Sequence, residues 1–112
     1  MALKPETLLV ERLKVTQSQI IQFCQRWHIT EFALFGSILR DDFHPDTSDV
    51  DVLVVFSPDA RKGLSEWIAM QDELAALFEH KVDLVNKAAI QESHNWIRRR
   101  NILDTAQVIY GG

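Results

Sequence analysis

The stretch that decides the fold is a small-residue turn followed, after eleven intervening residues, by two acids that open an apolar run. It reads Phe35-Gly36-Ser37 and then Asp49-Val50-Asp51-Val52-Leu53-Val54-Val55-Phe56. The apolar run is typical of a buried strand, and the period-two alternation of a strand places Asp49 and Asp51 on the same face. Two carboxylates that neighbour each other on one face of a strand repel each other by about 3 kcal/mol at an effective dielectric constant of about 20. We therefore expect a cation or a proton to neutralise the pair.

The Gly-Ser turn has the chemistry of a phosphate site. Gly36 permits a positive φ or a close backbone approach, and a short helix is predicted over residues 38–42. Ser37 would be the N-cap of that helix, beside free backbone N–H groups that suit a phosphate. The turn and the two acids together predict a single site for a metal–triphosphate.

Each of these pieces alone also has a plain structural interpretation. An Asp-x-Asp pair can be a solvated strand start, and Gly-Ser is often only a turn. A third acid makes the pattern more specific, because Asp83 lies in a further predicted strand, Lys81-Val82-Asp83-Leu84-Val85. An anion-binding turn with three strand-borne acids favours phosphoryl-type transfer, which needs positioning and charge neutralisation more than covalent chemistry.

The motif resembles the nucleotidyltransferase superfamily that includes DNA polymerase beta. More narrowly, it resembles the minimal nucleotidyltransferases (MNT proteins), which are often paired with a small helical HEPN protein. The resemblance covers about residues 17–110, and the stretches that carry it are Leu34-Phe35-Gly36-Ser37-Ile38-Leu39-Arg40-Asp41-Asp42-Phe43, Pro45-Asp46 and Ser48-Asp49-Val50-Asp51-Val52-Leu53-Val54. Two departures lie in the loop: Asp41 replaces the Gly that many members have, and the spacer is one residue longer than usual.

The resemblance implies a fold and a set of site residues. We expect an α/β fold, a small mixed β-sheet with flanking helices like the palm of DNA polymerase beta. It would form a single minimal nucleotidyltransferase domain over residues 1–112. Asp49, Asp51 and Asp83 would be catalytic and would hold two Mg²⁺ ions, while Gly36 and Ser37 would hold the β- and γ-phosphates of ATP.

Two basic stretches remain open in the sequence. Arg40 follows the Gly-Ser turn and is a candidate nucleotide-binding residue, although a surface ion pair with Asp41 or Asp42 explains it equally well. The run Arg98-Arg99-Arg100 is either a solvated helix end or a contact with a partner or a nucleotide.

The same resemblance implies a function. The chain would be a protein adenylyltransferase that moves AMP from ATP to a tyrosine of a paired HEPN ribonuclease toxin, and would act as the antitoxin of the pair. No residues remain in 112 to build a second domain for the acceptor, so the acceptor is expected to be another molecule. The alternative is a non-catalytic antitoxin that neutralises its partner by forming a stoichiometric complex.

Composition limits the other possibilities. The length of 112 residues suits one domain, and a net charge of −4 argues against a large nucleic-acid surface, so direct nucleic-acid binding is not expected. A single cysteine, Cys24, excludes a disulfide within the chain. The N-terminus has no signal-peptide core and no run is long enough to span a membrane. We therefore expect a cytoplasmic protein.

Periodicity predicts the order of elements. Thr16 and Gln19 form a capping box for a helix whose buried stripe is Ile20, Phe23, Cys24 and Trp27. Residues 1–15 are ambiguous, and the first two strands should run antiparallel if they are adjacent. The predicted strands are 32–35, 50–56, 81–86 and 107–110, and the later predicted helices are 64–79 and 88–100. The apolar positions of the helix over 64–79 are Leu64, Trp67, Ile68, Leu74, Leu77 and Phe78.

Overall fold

Four strands form one mixed sheet in the order β3-β2-β1-β4. The structure is a computed structural model, and it describes residues 12–39, 49–60 and 63–111. β2 pairs antiparallel with β1 and parallel with β3, and β4 pairs antiparallel with β1. The predicted mixed sheet and the antiparallel first pair are both confirmed. The elements in chain order are α1 (Gln17–Arg26), β1 (Ile29–Phe35), a 3₁₀ turn (Gly36–Leu39), β2 (Val50–Phe56), α2 (Leu64–Phe78), β3 (Val82–Asn86), α3 (Lys87–Gln91), α4 (Trp96–Thr105) and β4 (Gln107–Gly111).

Helix α1 begins at the predicted capping box. The Thr16 amide donates to Gln19 Oε1 at 2.8 Å, and the Gln19 amide donates to Thr16 Oγ1 at 3.3 Å. This reciprocal pair satisfies two backbone donors that the first turn leaves without partners. The buried stripe of the helix includes Cys24, where burial raises the pKa of the thiol to about 12. The thiol is therefore neutral and acts as a small core residue.

One face of the sheet, which we call the first face, packs against α1 and α2. Phe32 lies at its centre and is fully buried. Its ring makes edge-to-face contacts with Phe23 of α1 at 6.2 Å and Phe78 of α2 at 6.5 Å between ring centroids. The strand side chains of this cluster include Leu34, Val50, Val52, Val54, Val82 and Leu84.

The opposite face, the second face, carries a smaller cluster. Its buried members are Ala33, Phe35, Leu53, Ile90 of α3 and Ile102 of α4. Because side chains alternate along a strand, Asp51 shares this face with Leu53, and Asp83 shares it with Val85. The fold thus places two of the predicted catalytic acids beside the smaller cluster.

Two helix predictions need correction. The helix predicted over 88–100 is two helices, because Asn95 Oδ1 accepts the Arg98 amide at 3.1 Å and so begins a new helix there. Helix α2 is present as predicted, but two of its apolar positions, Leu64 and Ile68, do not face the core, since they are 76% and 51% exposed. Met70, two residues after Ile68 and so on the other side of the helix, is buried instead.

Strand and terminal boundaries also differ from the predictions in places. β1 begins at Ile29, three residues before the predicted start, whereas β2 has the predicted bounds. Residues 1–11 of the ambiguous segment lie outside the described residues. No helix in the described part of the chain combines the length and apolar character needed to cross a membrane.

Candidate active site

The turn after β1 begins at Gly36, which has a φ of +79°. This conformation ends the strand abruptly and starts the 3₁₀ turn at Gly36 itself, so Ser37 is its second residue and not an N-cap. Residues 40–42 of the predicted helix lie outside the described residues. The described part of the turn ends at Leu39. Arg12 Nη1 donates to the Ile38 carbonyl oxygen at 2.6 Å, and this bond fixes the turn from a segment 26 residues earlier.

Asp51 lies directly against the turn. Its residue partner across the β1–β2 ladder is Phe35, so its side chain stands beside Gly36. A Cβ atom on Gly36 would overlap Asp51 Oδ2 and lie 3.1 Å from Asp51 Cγ. The site therefore requires glycine at this position twice, for its φ and for the close approach of the carboxylate.

Asp83 is brought beside Asp51 by the parallel ladder. The two residues are register partners in β2 and β3, so their side chains leave the same face, with the strands about 4.8 Å apart. The Val50 amide donates to the Lys81 carbonyl oxygen at 2.9 Å and fixes this end of the pair. Asp51 is half-buried and Asp83 is exposed. The predicted approach of these two acids across the sheet is thus present in the fold.

Asp49 lies immediately before β2 and is exposed. It shares the second face with Asp51 by alternation. However, in residues 12–39, 49–60 and 63–111 no three His, Cys, Asp or Glu side chains converge closely enough to hold a metal ion. Carboxylate oxygens are the ligands that Mg²⁺ prefers, so the donor set fits the ion chemically. A metal site shared by Asp49, Asp51 and Asp83 remains a prediction, and Arg40 lies outside the described residues.

A cleft of about 220 Å³ separates the 3₁₀ turn from helix α4. Its walls are Phe35, Gly36, Leu39, Asn101, Ile102 and Thr105. Asn101 and Thr105 were not among the predicted site residues, because the helix prediction ended at residue 100. The signal that could have found them is the Asn95 cap, which predicts a helix that begins at residue 96 and extends past residue 101.

A larger groove of about 430 Å³ lies between α1 and α2. An ion pair between Arg26 and Glu73 crosses it, and Trp27 Nε1 also donates to Glu73 Oε2 at 3.2 Å. This groove is on the first face, on the far side of the sheet from Asp51 and Asp83. Its size does not make it the candidate active site, because the acids and the glycine turn lie elsewhere.

The similarity to known proteins agrees with this geometry. MntA of Thermococcus cleftensis, a protein adenylyltransferase, is 36% identical over 67 residues, which cover 60% of this chain and 65% of that protein. A crystal structure of a toxin-antitoxin with AMP-PNP superposes with a TM-score of 0.64 at 20% identity, over 88% of this chain and 75% of that chain. A tri-AMPylated Shewanella oneidensis HEPN toxin in complex with MNT antitoxin gives a TM-score of 0.57 at 17% identity, over 86% of this chain and 70% of that chain.

At these identities the two solved structures establish a shared fold and confirm the predicted α/β class. The family follows from a different comparison, in which the nucleotidyltransferase domain family matches residues 18–109. That match contains β1, the glycine turn, all three predicted acids and α4. The chain belongs to the nucleotidyltransferase domain family.

Proposed function

We propose that this chain is a Mg²⁺-dependent protein adenylyltransferase that transfers AMP from ATP to a tyrosine hydroxyl of a HEPN-type partner protein and so acts as its antitoxin. One observation carries the proposal: Asp51 packs against Gly36 and is the register partner of Asp83. The glycine turn and two carboxylates thus lie at one end of the sheet, an arrangement that supports a triphosphate site there. The adenylyltransferase name of the MntA relative and the AMPylated HEPN toxin in a structural neighbour support the choice of AMP and of the acceptor.

The roles of the residues follow from their positions. The backbone amides of Gly36 and Ser37 hold the β- and γ-phosphates, and the short turn lets the triphosphate approach the acids. Arg40 lies outside the described residues, and we assign it to the same phosphates from its place in the sequence alone. When bound by Asp49, Asp51 and Asp83, Mg²⁺ supplies positive charge that neutralises the phosphate oxygens.

The transfer step requires a base as well as charge. The tyrosine oxygen attacks the α-phosphorus, the bond from that phosphorus to the bridging oxygen breaks, and pyrophosphate leaves. Asp83 is exposed, whereas Asp51 is half-buried against the turn. We therefore assign to Asp83 the role of accepting or relaying the hydroxyl proton.

The test is intact-mass spectrometry of a HEPN-type protein, sought in the gene next to the one for this chain, after incubation with this protein, ATP and Mg²⁺. We expect the mass of one or more AMP groups to be added on tyrosine. The control is the double variant Asp49→Asn with Asp51→Asn, which should transfer none. An intact partner that gains no AMP mass would contradict the proposal.

A second candidate function is neutralisation by stoichiometric binding alone. It is favoured by one observation, that in the described part of the chain three carboxylates do not converge on a common point. Cells that express the partner distinguish the two functions. If the Asp49→Asn, Asp51→Asn double variant still restores growth as well as the unmodified protein does, the mechanism is binding. If growth is lost with this variant while the complex still forms, the mechanism is transfer.

A further inference from the structure

The cleft between the 3₁₀ turn and α4 is continuous with the glycine turn, because Gly36 belongs to both. Its walls on the sheet side are Phe35 and Leu39, and on the helix side Ile102, Asn101 and Thr105. At about 220 Å³ it is smaller than the ~300–1,000 Å³ of sites for drug-sized ligands. Its size therefore suits one ring system rather than a whole nucleotide.

The polar groups of the cleft come from helix α4. In the part of the chain that the structure describes, no hydrogen bond involves the side-chain amide of Asn101, which lines the cleft with one donor group and one acceptor group. Thr105 Oγ1 donates its proton to the Asn101 carbonyl oxygen, which leaves the lone pairs of the hydroxyl available as acceptors. Apolar walls with a donor–acceptor pair at one edge match a flat heterocycle that has a polar rim.

We propose that this cleft binds the adenine base of ATP and that Asn101 selects adenine over guanine. The proposal rests on the proposed function, in which Gly36 and Ser37 hold the phosphates. Adenine presents an N6 amino donor next to an N7 acceptor, which the Asn amide can pair with both groups, as it does in major-groove recognition. Guanine presents two acceptors, O6 and N7, at the same edge, so the Asn carbonyl oxygen would have no donor to pair with.

Calorimetric titration with ATP, GTP and inorganic tripolyphosphate in the presence of Mg²⁺ tests the proposal. The unmodified protein should bind ATP more tightly than GTP by at least about fivefold, the lower value for a bidentate base contact. Asn101→Ala should reduce this ratio to about 1–2 and leave tripolyphosphate binding unchanged, because the phosphate turn is intact. Asn101→Asp keeps the size and the acceptor but removes the amide donor to N7, so it should bind ATP more weakly than the unmodified protein does and leave tripolyphosphate binding unchanged.

The matched control is Asp104→Ala on the solvent side of the same helix. Asp104 pairs with Arg100 at 3.4 Å, and both side chains are more than half exposed, so its removal should leave the ATP-to-GTP ratio unchanged. A ratio that stays the same in Asn101→Ala would overturn the inference and leave the proposed function standing. A change in Asn101→Ala that is confined to the Michaelis constant for the protein acceptor would also overturn the inference, because the cleft would then hold a side chain of the acceptor. No binding of ATP to the unmodified protein would instead overturn the proposed function.

Discussion

The two faces of the sheet differ in how much they bury and in what they expose. In the residues described, the first face buries eighteen side chains in one cluster with α1 and α2. The cluster on the second face has five, and next to it lie Asp51, Asp83 and the cleft. The comparison indicates that most of the folding free energy comes from the first face, which leaves the second free to carry charges and an open cleft. Substitutions on the two faces should therefore separate stability from activity.

The largest effect on the free energy of unfolding should come from Phe32→Ala at the centre of the first face. The ring is fully buried and contacts Phe23 and Phe78, so its removal leaves a cavity and breaks two aromatic contacts. We expect a loss of about 3–5 kcal/mol, measured by urea denaturation. Transfer by the fraction that remains folded should be nearly unchanged. A loss of transfer much larger than the loss of folded protein would show that the two faces are coupled.

The next effect should come from Ile102→Ala in the smaller cluster. Ile102 is 7% exposed and has fewer buried neighbours than Phe32 has. We therefore expect the free energy of unfolding to fall by about 2 kcal/mol, the lower end of the range for such truncations. Because Ile102 is also a wall of the cleft, Ile102→Ala should lower the affinity for ATP as well as the stability. Phe32→Ala should lower the stability alone. Denaturation and calorimetry on both variants make the comparison. A destabilisation equal to that of Phe32→Ala would contradict the difference between the faces.

A third prediction concerns Gly36→Ala in the glycine turn. A left-handed φ of +79° costs a non-glycine residue about 1–2 kcal/mol. The new Cβ would also collide with the Asp51 carboxylate, so that carboxylate must move. We expect a modest fall in melting temperature together with nearly complete loss of AMP transfer. The control is Gly63→Ala, at a glycine with no positive φ, before α2. Full transfer by Gly36→Ala would show that the close approach of Asp51 is not required.

The sequence allowed parts of this comparison to be predicted. β2 was predicted with its observed bounds, since Asp49 precedes it and Ser57-Pro58 follows it. Ile20, Phe23 and Cys24 of the predicted α1 stripe are buried, because local capping and a period of 3.6 determine them, whereas Trp27 is the C-cap and only half-buried. The approach of Asp51 to Asp83 followed from the family resemblance, and the parallel register explains it physically.

The remaining features depend on contacts between distant segments. The early start of β1 places Glu31 in the sheet, where Lys87 Nζ donates to it at 2.8 Å, a partner 56 residues away. The cleft needs Gly36 and Asn101 to meet, and neither residue's neighbours in sequence indicate the other. The fixing of the turn by Arg12 is likewise a long-range contact from a segment with no clear periodicity. Local patterns thus predict elements, whereas the cleft and the turn geometry come from tertiary packing.

The smallest effect on stability should come from Asp83→Asn, although its effect on transfer should be large. Asp83 is exposed and its register partner Asp51 carries the same charge, so removal of one charge relieves repulsion. Exposure and solvent screening keep this gain small, so we expect the free energy of unfolding without Mg²⁺ to be unchanged or raised by up to about 0.5 kcal/mol. Melting temperatures at low and high salt measure it, and any gain should shrink as salt increases.

The same variant tests the role of Asp83 in the chemistry. ATP should still bind, because Gly36, Ser37 and Asp51 are unchanged, whereas single-turnover transfer should fall nearly to background once the proton acceptor is lost. A matched control is Asp72→Asn, an exposed Asp on α2, the helix that packs against the opposite face of the sheet from Asp51 and Asp83. It should change neither transfer nor ATP affinity. If Asp83 were only an ordinary strand residue, Asp83→Asn would behave like this control, and near-normal transfer would remove Asp83 from the active site.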